Sequence, residues 1–298
     1  MPLTYLIDYC NSRIRQGEPH FLPENPIVER KGRVVARFAT LRLTSTFQPV
    51  LSALHPRLVM GHEALLRGYT GDGRALAPRT LLAAPMRSRV IVHLDRLCRM
   101  VHMLNYLRQA DTVPGYLFLN VSTEHLLNVP HNHGWYFEEV LRRCGLTPAH
   151  IIIDVHSSAI QGAHAAQVVA AIANYRARGY RVAIEDFEPD QGDPDRLWRL
   201  FPDIVKLDCR HLLKHQGGLF RWVELFRHAG GEIIVTRVET EVQARIAYAM
   251  GVDGLQGRYF GNAEASLRHR LISPDPESSR SGQMRPLARP ASRLQYCW

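Results

Sequence analysis

Eight short apolar runs, most of them separated by a helical pattern, constrain this chain more than any other feature. They read LTSTFQPVLSA, LVMGHEALL, YLFLNVS, HIIIDVH, RVAIEDF, DIVKLD, GEIIVTRV and DGLQGRYF. Their brevity and their content of β-branched residues mark them as strands. Between them, residues 89–108 and 162–178 repeat apolar positions at intervals of three and four, and 135–144, 217–229 and 239–250 do so over shorter stretches. Strands alternating with amphipathic helices predict an α/β protein with a parallel sheet. Eight such strands in about 230 residues predict a (β/α)8 TIM-like barrel, whose usual size is about 250 residues. A doubly wound open sheet is the alternative arrangement, but no G-x-G-x-x-G opens a helix here. Only LHPR separates the first two runs, a hairpin spacing, so the first strand is expected to run antiparallel to the rest.

The ends of these runs carry polar groups. Glu63 follows LVMGH, Asn120 closes YLFLN, and Asp154 closes IIID. Glu185 and Asp186 close RVAIED, Lys206 and Asp208 close DIVKLD, Glu239 follows IIVTRV, and Gln256 follows DGL. In a parallel barrel the C-terminal strand ends share one face, where active sites are built. Strand ends are polar in part because loops are, so a single such residue carries little weight. The set carries more, because carboxylates terminate buried runs with no turn residue between. Converging carboxylate and amide oxygens suit a hard cation such as Mg²⁺ or Mn²⁺, and such ions clamp phosphoryl oxygens and activate water.

Composition narrows the partners. The chain has 298 residues, 46% hydrophobic and 22% charged, which permits a large core and excludes a disordered or fibrous protein. A formal net charge of +9 invites a nucleic-acid reading. Among its 37 Lys and Arg residues, however, only Lys31, Lys206 and Lys214 are lysine, and the arginines are spread along the chain. Arg280, Arg285, Arg289 and Arg293 fall in a Pro- and Ser-rich stretch without acids. The charge thus speaks for anionic ligands in general, and nucleic acid is not the expected partner. Cys10, Cys98, Cys144, Cys209 and Cys297 are irregularly spaced with no C-x-x-C, and MPLTYLIDYC lacks a basic leader pattern. These features point to a reducing, cytoplasmic location. No apolar stretch reaches the ~20 residues that span a bilayer, so no membrane association is expected. His131 and His133 of HNHG read as solvated loop residues, and Trp198 and Trp222 as core. The expected organisation is an N-terminal extension over 1–39 with a helix at 3–16, a barrel over 40–270, and a disordered basic tail over 271–298.

FQPVLSALHPRLVMGHEALLRG resembles the opening of EAL domains, the cyclic di-GMP phosphodiesterase family, and Glu63-Ala64-Leu65 is the signature tripeptide. In the family's order there follow LDRLCRM from Leu94, LFLNVS from Leu117, IIIDVHSS from Ile151 and IEDF from Ile184. VKLD from Val205, VETEVQ from Val238 and LQGRYF from Leu255 complete the series, so the resemblance covers residues 40–265. It implies hydrolysis of one phosphodiester bond of cyclic di-GMP to linear pGpG, assisted by two Mg²⁺ or Mn²⁺ ions. By that resemblance Glu63, Asn120, Asp154 and Glu185 hold one ion, and Glu185 bridges to a second that Asp186 helps to bind. Lys206 would orient or polarise the attacking water, and Glu239 keeps an acid of the family's seventh strand; with Glu63 these form the expected catalytic set. Gln48, Arg67 and Gln256 fall where the family contacts metal-bound water or the dinucleotide, and Asp95 is a further ligand position.

The chain also departs from the pattern. Asp154 stands for a family Glu and Glu185 for a family Asp, so ligand count and charge survive. The family's Ala-Glu-Gly-Val-Glu is Val235-Thr236-Arg237-Val238-Glu239, which replaces an acid of the second metal site by Thr and a Gly by Arg. Ser157 replaces a Glu that steadies the loop after the fifth strand, and that loop reads Phe187-Glu188-Pro189-Asp190 in place of Phe-Gly-Thr-Gly. Loss of one preorganised electrostatic group costs about 10²–10³ in rate. The expectation is therefore a cyclic di-GMP signalling protein that binds the nucleotide with weak or no hydrolysis. An active metal-dependent phosphodiesterase and a nucleotide-independent scaffold for a protein partner are the alternatives, and a homodimer is a further expected association.

Overall fold

Side-chain alternation along strands lets a single sheet carry two cores, one inside and one outside, once it closes on itself. The computed structural model describes residues 2–16, 23–77, 81, 88–109, 115–129, 133–188, 197–198, 200–214 and 216–268. Its strands are β1 (Ile27–Arg30), β2 (Arg33–Phe38), β3 (Leu41–Ser52), β4 (Val59–Tyr69), β5 (Ala75–Leu76) and β6 (Tyr116–Asn120). They continue with β7 (Ile151–His156), β8 (Arg181–Glu185), β9 (Ile204–Asp208), β10 (Glu232–Thr236) and β11 (Gly254–Leu255). Eight of these, β3, β4 and β6 to β11, close into a barrel. β3 pairs antiparallel with both β4 and β11, and the remaining barrel pairs are parallel. The eight strands expected from the sequence are the eight barrel strands, with the first reversed as its short connection required.

Inside the barrel, seven strands each give one residue to a single apolar layer: Val50, Met60, Phe118, Ile152, Ala183, Ile204 and Ile234. The outer faces pack against helices Ser88–Leu107, Trp135–Arg143, Ala165–Ala177, Gln216–His228 and Glu241–Ala249. Each lies within a few residues of its periodicity. Trp222 stacks on Phe226 at 5.3 Å between ring centroids, and Trp198 packs against both, so the two tryptophans do join the outer core. His133 corrects the solvated reading of HNHG: it is buried, with its Nε2 3.0 Å from the Leu126 carbonyl, while His131 lies outside the described residues. So do the tail over 271–298 and Pro189 and Asp190. Among the described residues no helix is long and apolar enough to cross a membrane.

The first 39 residues hold more regular structure than the helix Leu3–Gln16 foreseen for them. β1 and β2 form a hairpin that extends the sheet outward from β3, with Ala36 opposite Leu43 and Phe38 opposite Leu41. Its turn places Lys31 and Gly32 at φ 50° and 69°, the left-handed pair that a two-residue hairpin needs. Lys-Gly between IVER and RVVARF was the available signal. Two buried asparagines tie the hairpin down. Asn11 accepts from the Ile27 N–H at 2.9 Å and donates to its carbonyl at 2.8 Å. Asn105 does the same to Val34, at 3.0 and 2.7 Å. Each amide thus imitates a neighbouring strand. Asn105→Ala leaves the buried Val34 N–H unpaired, while the Val34 carbonyl keeps the Thr44 hydroxyl at 3.1 Å, and is expected to lower the free energy of unfolding by about 1–3 kcal/mol. Urea denaturation checks this, and an unchanged midpoint would show that the clamp contributes nothing.

Candidate functional site

The site stands on the inner apolar layer. Two residues along a strand return a side chain to the same face. Above Phe118 therefore comes Asn120, above Ile152 Asp154, above Ala183 Glu185, above Ile204 Lys206, and above Ile234 Thr236. β3 runs the other way, so Gln48 stands above Val50, and the register places it opposite Glu63 of β4. Buried positions below the mouth thus dictate which polar residues converge at it.

Lys206 is at the centre. Its ammonium donates to Asp154 Oδ2 at 2.5 Å and to Glu63 Oε2 at 3.0 Å, and lies 4.7 Å from the centroid of the Phe118 ring. Glu63 also accepts from Gln256 Nε2 at 2.9 Å and Asn120 Nδ2 at 3.2 Å. Burial opposes the charge on Glu63, but Lys206 and these amides outweigh it and hold its carboxyl below the ordinary range. Asp154 goes the other way: burial, joined by repulsion from Glu63 and Glu185, pushes it well above despite Lys206. Glu185 is raised for the same reasons, burial first and Glu63 next. Lys206 is itself raised, its burial being overcome by Asp154, Glu63 and Glu185.

Three carboxylates against one ammonium describe a site with surplus negative charge. Glu63, Asp154 and Glu185 each offer an oxygen within 4.8 Å of the others'. Asp154 Oδ1 is buried without a hydrogen-bond partner among the described residues. A buried, unpartnered carboxylate oxygen is costly unless a cation meets it, so these residues fit a divalent ion.

Two residues beyond Lys206 on β9, and just past β8, stands a second set of acids with different partners, Asp208 buried beneath its arginines and Asp186 part-exposed. Asp208 is bound by Arg210 Nη2 and by Arg237 Nη1, each at 2.6 Å, and Arg237 Nη2 reaches Asp186 Oδ2 at 3.1 Å. His156 Nε2 stands 3.7 Å from the same Asp186 oxygen. Contact with His156, then the charge of Arg237, holds the Asp186 carboxyl below its ordinary range. Burial opposes the same fall at Asp208, but Arg210 and Arg237 outweigh it. Asp186 and Arg237 sit at φ 50° and 57°. Such a backbone costs a non-glycine residue about 1–2 kcal/mol, and here it aims the two side chains at each other. Thr236 donates its hydroxyl to the Leu207 carbonyl at 3.3 Å. Glu239 pairs with Arg258 at 2.7 Å, and its N–H is held by Gln243.

The deep group opens into a cleft of about 400 Å³, and Asp208, Arg210 and His156 line an adjoining cavity of about 350 Å³ that shares Asp186 and Arg237 with it. The walls of the cleft include Gln48, Glu63, Glu185, Lys206, Thr236, Arg237, Glu239 and Gln256. Gln48 donates to the Gly261 carbonyl at 3.0 Å. Gly257 admits the backbone of Val238 so closely that a Cβ there would lie 2.0 Å from its carbonyl oxygen. Asn120 and Asp154 join this group through Glu63 and Lys206, and Asp186 forms part of the wall. Arg67 and Asp95 are not in it. Arg67 lies four residues beyond Glu63 on β4 and donates to the Leu66 carbonyl. Asp95 is buried behind the sheet, 2.7 Å from Arg99 and 3.2 Å from His125. It accepts from the Ser122 N–H at 3.1 Å and so fixes the loop just after Asn120. Ser157 donates its hydroxyl to the Asp186 carbonyl at 2.8 Å. The role of Asp208 as the shared partner of Arg210 and Arg237 was not foreseen, although its place two residues after Lys206 puts it on the same face.

Comparison with known proteins is consistent with this geometry. The sequence profile of the EAL domain matches residues 32–263. A protein of Escherichia coli strain K12 named probable cyclic di-GMP phosphodiesterase PdeI is 23% identical over an alignment of 247 residues that covers 80% of this chain and 31% of that protein. This chain therefore spans about a third of that relative's length. Bacillus subtilis YkuI, with an EAL domain, was solved in complex with cyclic di-GMP and calcium. It superposes with a TM-score of 0.66 and 21% identity, covering 76% of this chain and 57% of YkuI. A manganese and cyclic di-GMP complex of Klebsiella pneumoniae BlrP1 superposes with a TM-score of 0.65 and 20% identity, covering 84% of this chain and 59% of BlrP1.

The deep charges predict their own fragility. Lys206→Met strands three carboxylates around an apolar side chain. Removing one partner of a buried ion pair costs about 3–5 kcal/mol, and that loss is expected for this variant by urea unfolding in chelator at neutral pH. A loss below 1 kcal/mol would show that the carboxylates shed their charge by taking up protons.

Proposed function

The chain belongs to the EAL domain family, and from that footing we propose that it binds cyclic di-GMP at the barrel mouth and hydrolyses it slowly or not at all. The observation that carries the reading is the end of β10, where Thr236 and Arg237 stand beside an otherwise complete deep site. The deep carboxylates keep the ligand count the family uses, and Gln48 and Gln256 keep their amides at the mouth. Thr236 is neutral, and Arg237 sets a permanent cation among the outer acids. The cleft thus keeps Gln48 and Gln256 of the residues expected to meet an anionic dinucleotide, with Arg237 as its cation, and lacks an acid that the family uses in its cleavage.

Glu63, Asp154 and Glu185, with Asn120 alongside, would hold the metal. Bound Mg²⁺ or Mn²⁺ supplies Lewis acidity and lowers the pKa of water. The chain's own residues do the rest. Lys206 spends two donors on Asp154 and Glu63, which fixes both carboxylates and offsets part of their repulsion. Gln256 and Asn120 fix the Glu63 orientation from opposite sides. Arg237 presents guanidinium charge at the cleft wall, suited to a phosphate. Glu239 stands at the rim of the cleft, paired with Arg258. Free thiols at Cys10, Cys98, Cys144 and Cys209 suit a reducing, cytoplasmic setting. An active phosphodiesterase is the second reading, favoured by the intact deep carboxylates.

Calorimetry with cyclic di-GMP in millimolar Mg²⁺ is expected to give a dissociation constant of tens of micromolar or tighter, while turnover to pGpG stays near background. Replacing Thr236→Glu and Arg237→Gly together is expected to raise turnover at least tenfold. Absence of any binding heat would overturn the receptor reading in favour of a scaffold for a protein partner. Fast turnover by the unaltered chain would overturn the claim of impaired hydrolysis.

A further inference from the structure

This inference rests on the reading of the mouth as a metal-assisted nucleotide site, and concerns how many cations that site takes. The deep group fits one divalent ion. Glu63 and Asp154 are both paired with the one Lys206 ammonium, Glu185 lies within 4.8 Å of them, and Asp154 Oδ1 is buried and unpartnered among the described residues. The outer group does not fit a second. Asp186 and Asp208 are bridged by the Arg237 guanidinium at 3.1 and 2.6 Å, and Asp208 holds Arg210 as well. Two carboxylates therefore meet two guanidinium groups, with His156 beside them. The Glu239 carboxylate is taken by Arg258, and Thr236 brings only a hydroxyl.

We propose that Arg237 is a built-in cation standing where a second divalent ion would bind, so that the mouth takes a single metal ion, at Glu63, Asp154 and Glu185. Three features favour the guanidinium over an incoming ion. Its charge is permanent, and it binds two carboxylates at once through charge-assisted hydrogen bonds. Being part of the chain, it needs no concentration in solution to fill the place. A divalent ion entering between Asp186 and Asp208 would also meet two guanidinium groups at close range. The left-handed backbone at Arg237 ties this to position, because it turns the side chain back toward Asp186, itself left-handed. The substitution has a chemical consequence. A guanidinium neutralises and holds a phosphate oxygen, but it cannot lower the pKa of a bound water as a metal does. A ligand in this cleft is then gripped by one metal ion and one arginine.

Metal stoichiometry without nucleotide tests the proposal independently of cyclic di-GMP binding. The full chain is stripped with chelator and titrated with Mn²⁺, with free Mn²⁺ read by electron paramagnetic resonance. The unaltered protein is expected to bind one ion. Thr236→Glu with Arg237→Gly is expected to bind two, and Arg237→Lys, which keeps a tethered charge, is expected to remain at one. Glycine suits the left-handed position, and an undiminished melting temperature for Arg237→Gly alone certifies that the fold is kept. Two ions, or none, in the unaltered chain would overturn the proposal, as would a single ion in the folded double variant. If stoichiometry rises as expected yet no variant binds cyclic di-GMP, the nucleotide reading fails and the arginine assignment stands.

Discussion

The ammonium of Lys206, fixed between Asp154 and Glu63, is the interaction on which the mouth of this barrel depends. Three carboxylates converging from β4, β7 and β8 could not remain charged in a dry interior without a cation among them. The lysine supplies one charge inside the fold and leaves a deficit that a divalent ion can meet. Its position is itself imposed from below. Ile204 fills the apolar layer, so Lys206 must face inward two residues later, and Phe118 gives the ammonium an aromatic face to rest on. Packing and electrostatics at this point are one constraint: the layer that closes the bottom of the barrel chooses which side chains meet at its top.

Around that core the chain treats its acids in two ways. The deep carboxylates are held under mutual repulsion and kept short of counter-charge. The outer ones, Asp186 and Asp208, are satisfied by arginines. Backbone strain marks the boundary, since Asp186 and Arg237 adopt left-handed conformations and spend that strain on a single contact. A residue with a Cβ at such a position persists only where its surroundings demand it, and two carboxylates make that demand here. Ser157 shows the same economy, since a short hydroxyl reaches the Asp186 carbonyl just past β8.

Much of this was legible in the chain. Short β-branched runs alternating with helical periods specify a closed parallel barrel, and the four-residue link after the first run reverses that strand. Strand-terminal polar residues pick out Glu63, Asn120, Asp154, Glu185, Lys206 and Gln256, because strand period and strand direction alone bring them to one end. The hairpin over residues 27–38 escaped because a Pro-rich approach masked a Lys-Gly turn between two short runs. The surroundings of Asp95 were not legible for a related reason: sequence position says nothing of depth, and the fold sets it against Arg99 and His125.

What the sequence by itself determined is the kind of fold and the end at which its chemistry gathers. Those follow from periodicity and residue identity, which are local properties. Where Arg237 sends its charge was a tertiary decision. It depends on a left-handed backbone angle, on an Asp at the end of β9 and on another just past β8, which lie 29 and 51 residues away along the chain. Read in sequence, an arginine in a glycine's place could face outward or inward. Only closure of the barrel brings the two carboxylates within reach of one guanidinium, and it is their combined charge that turns it inward.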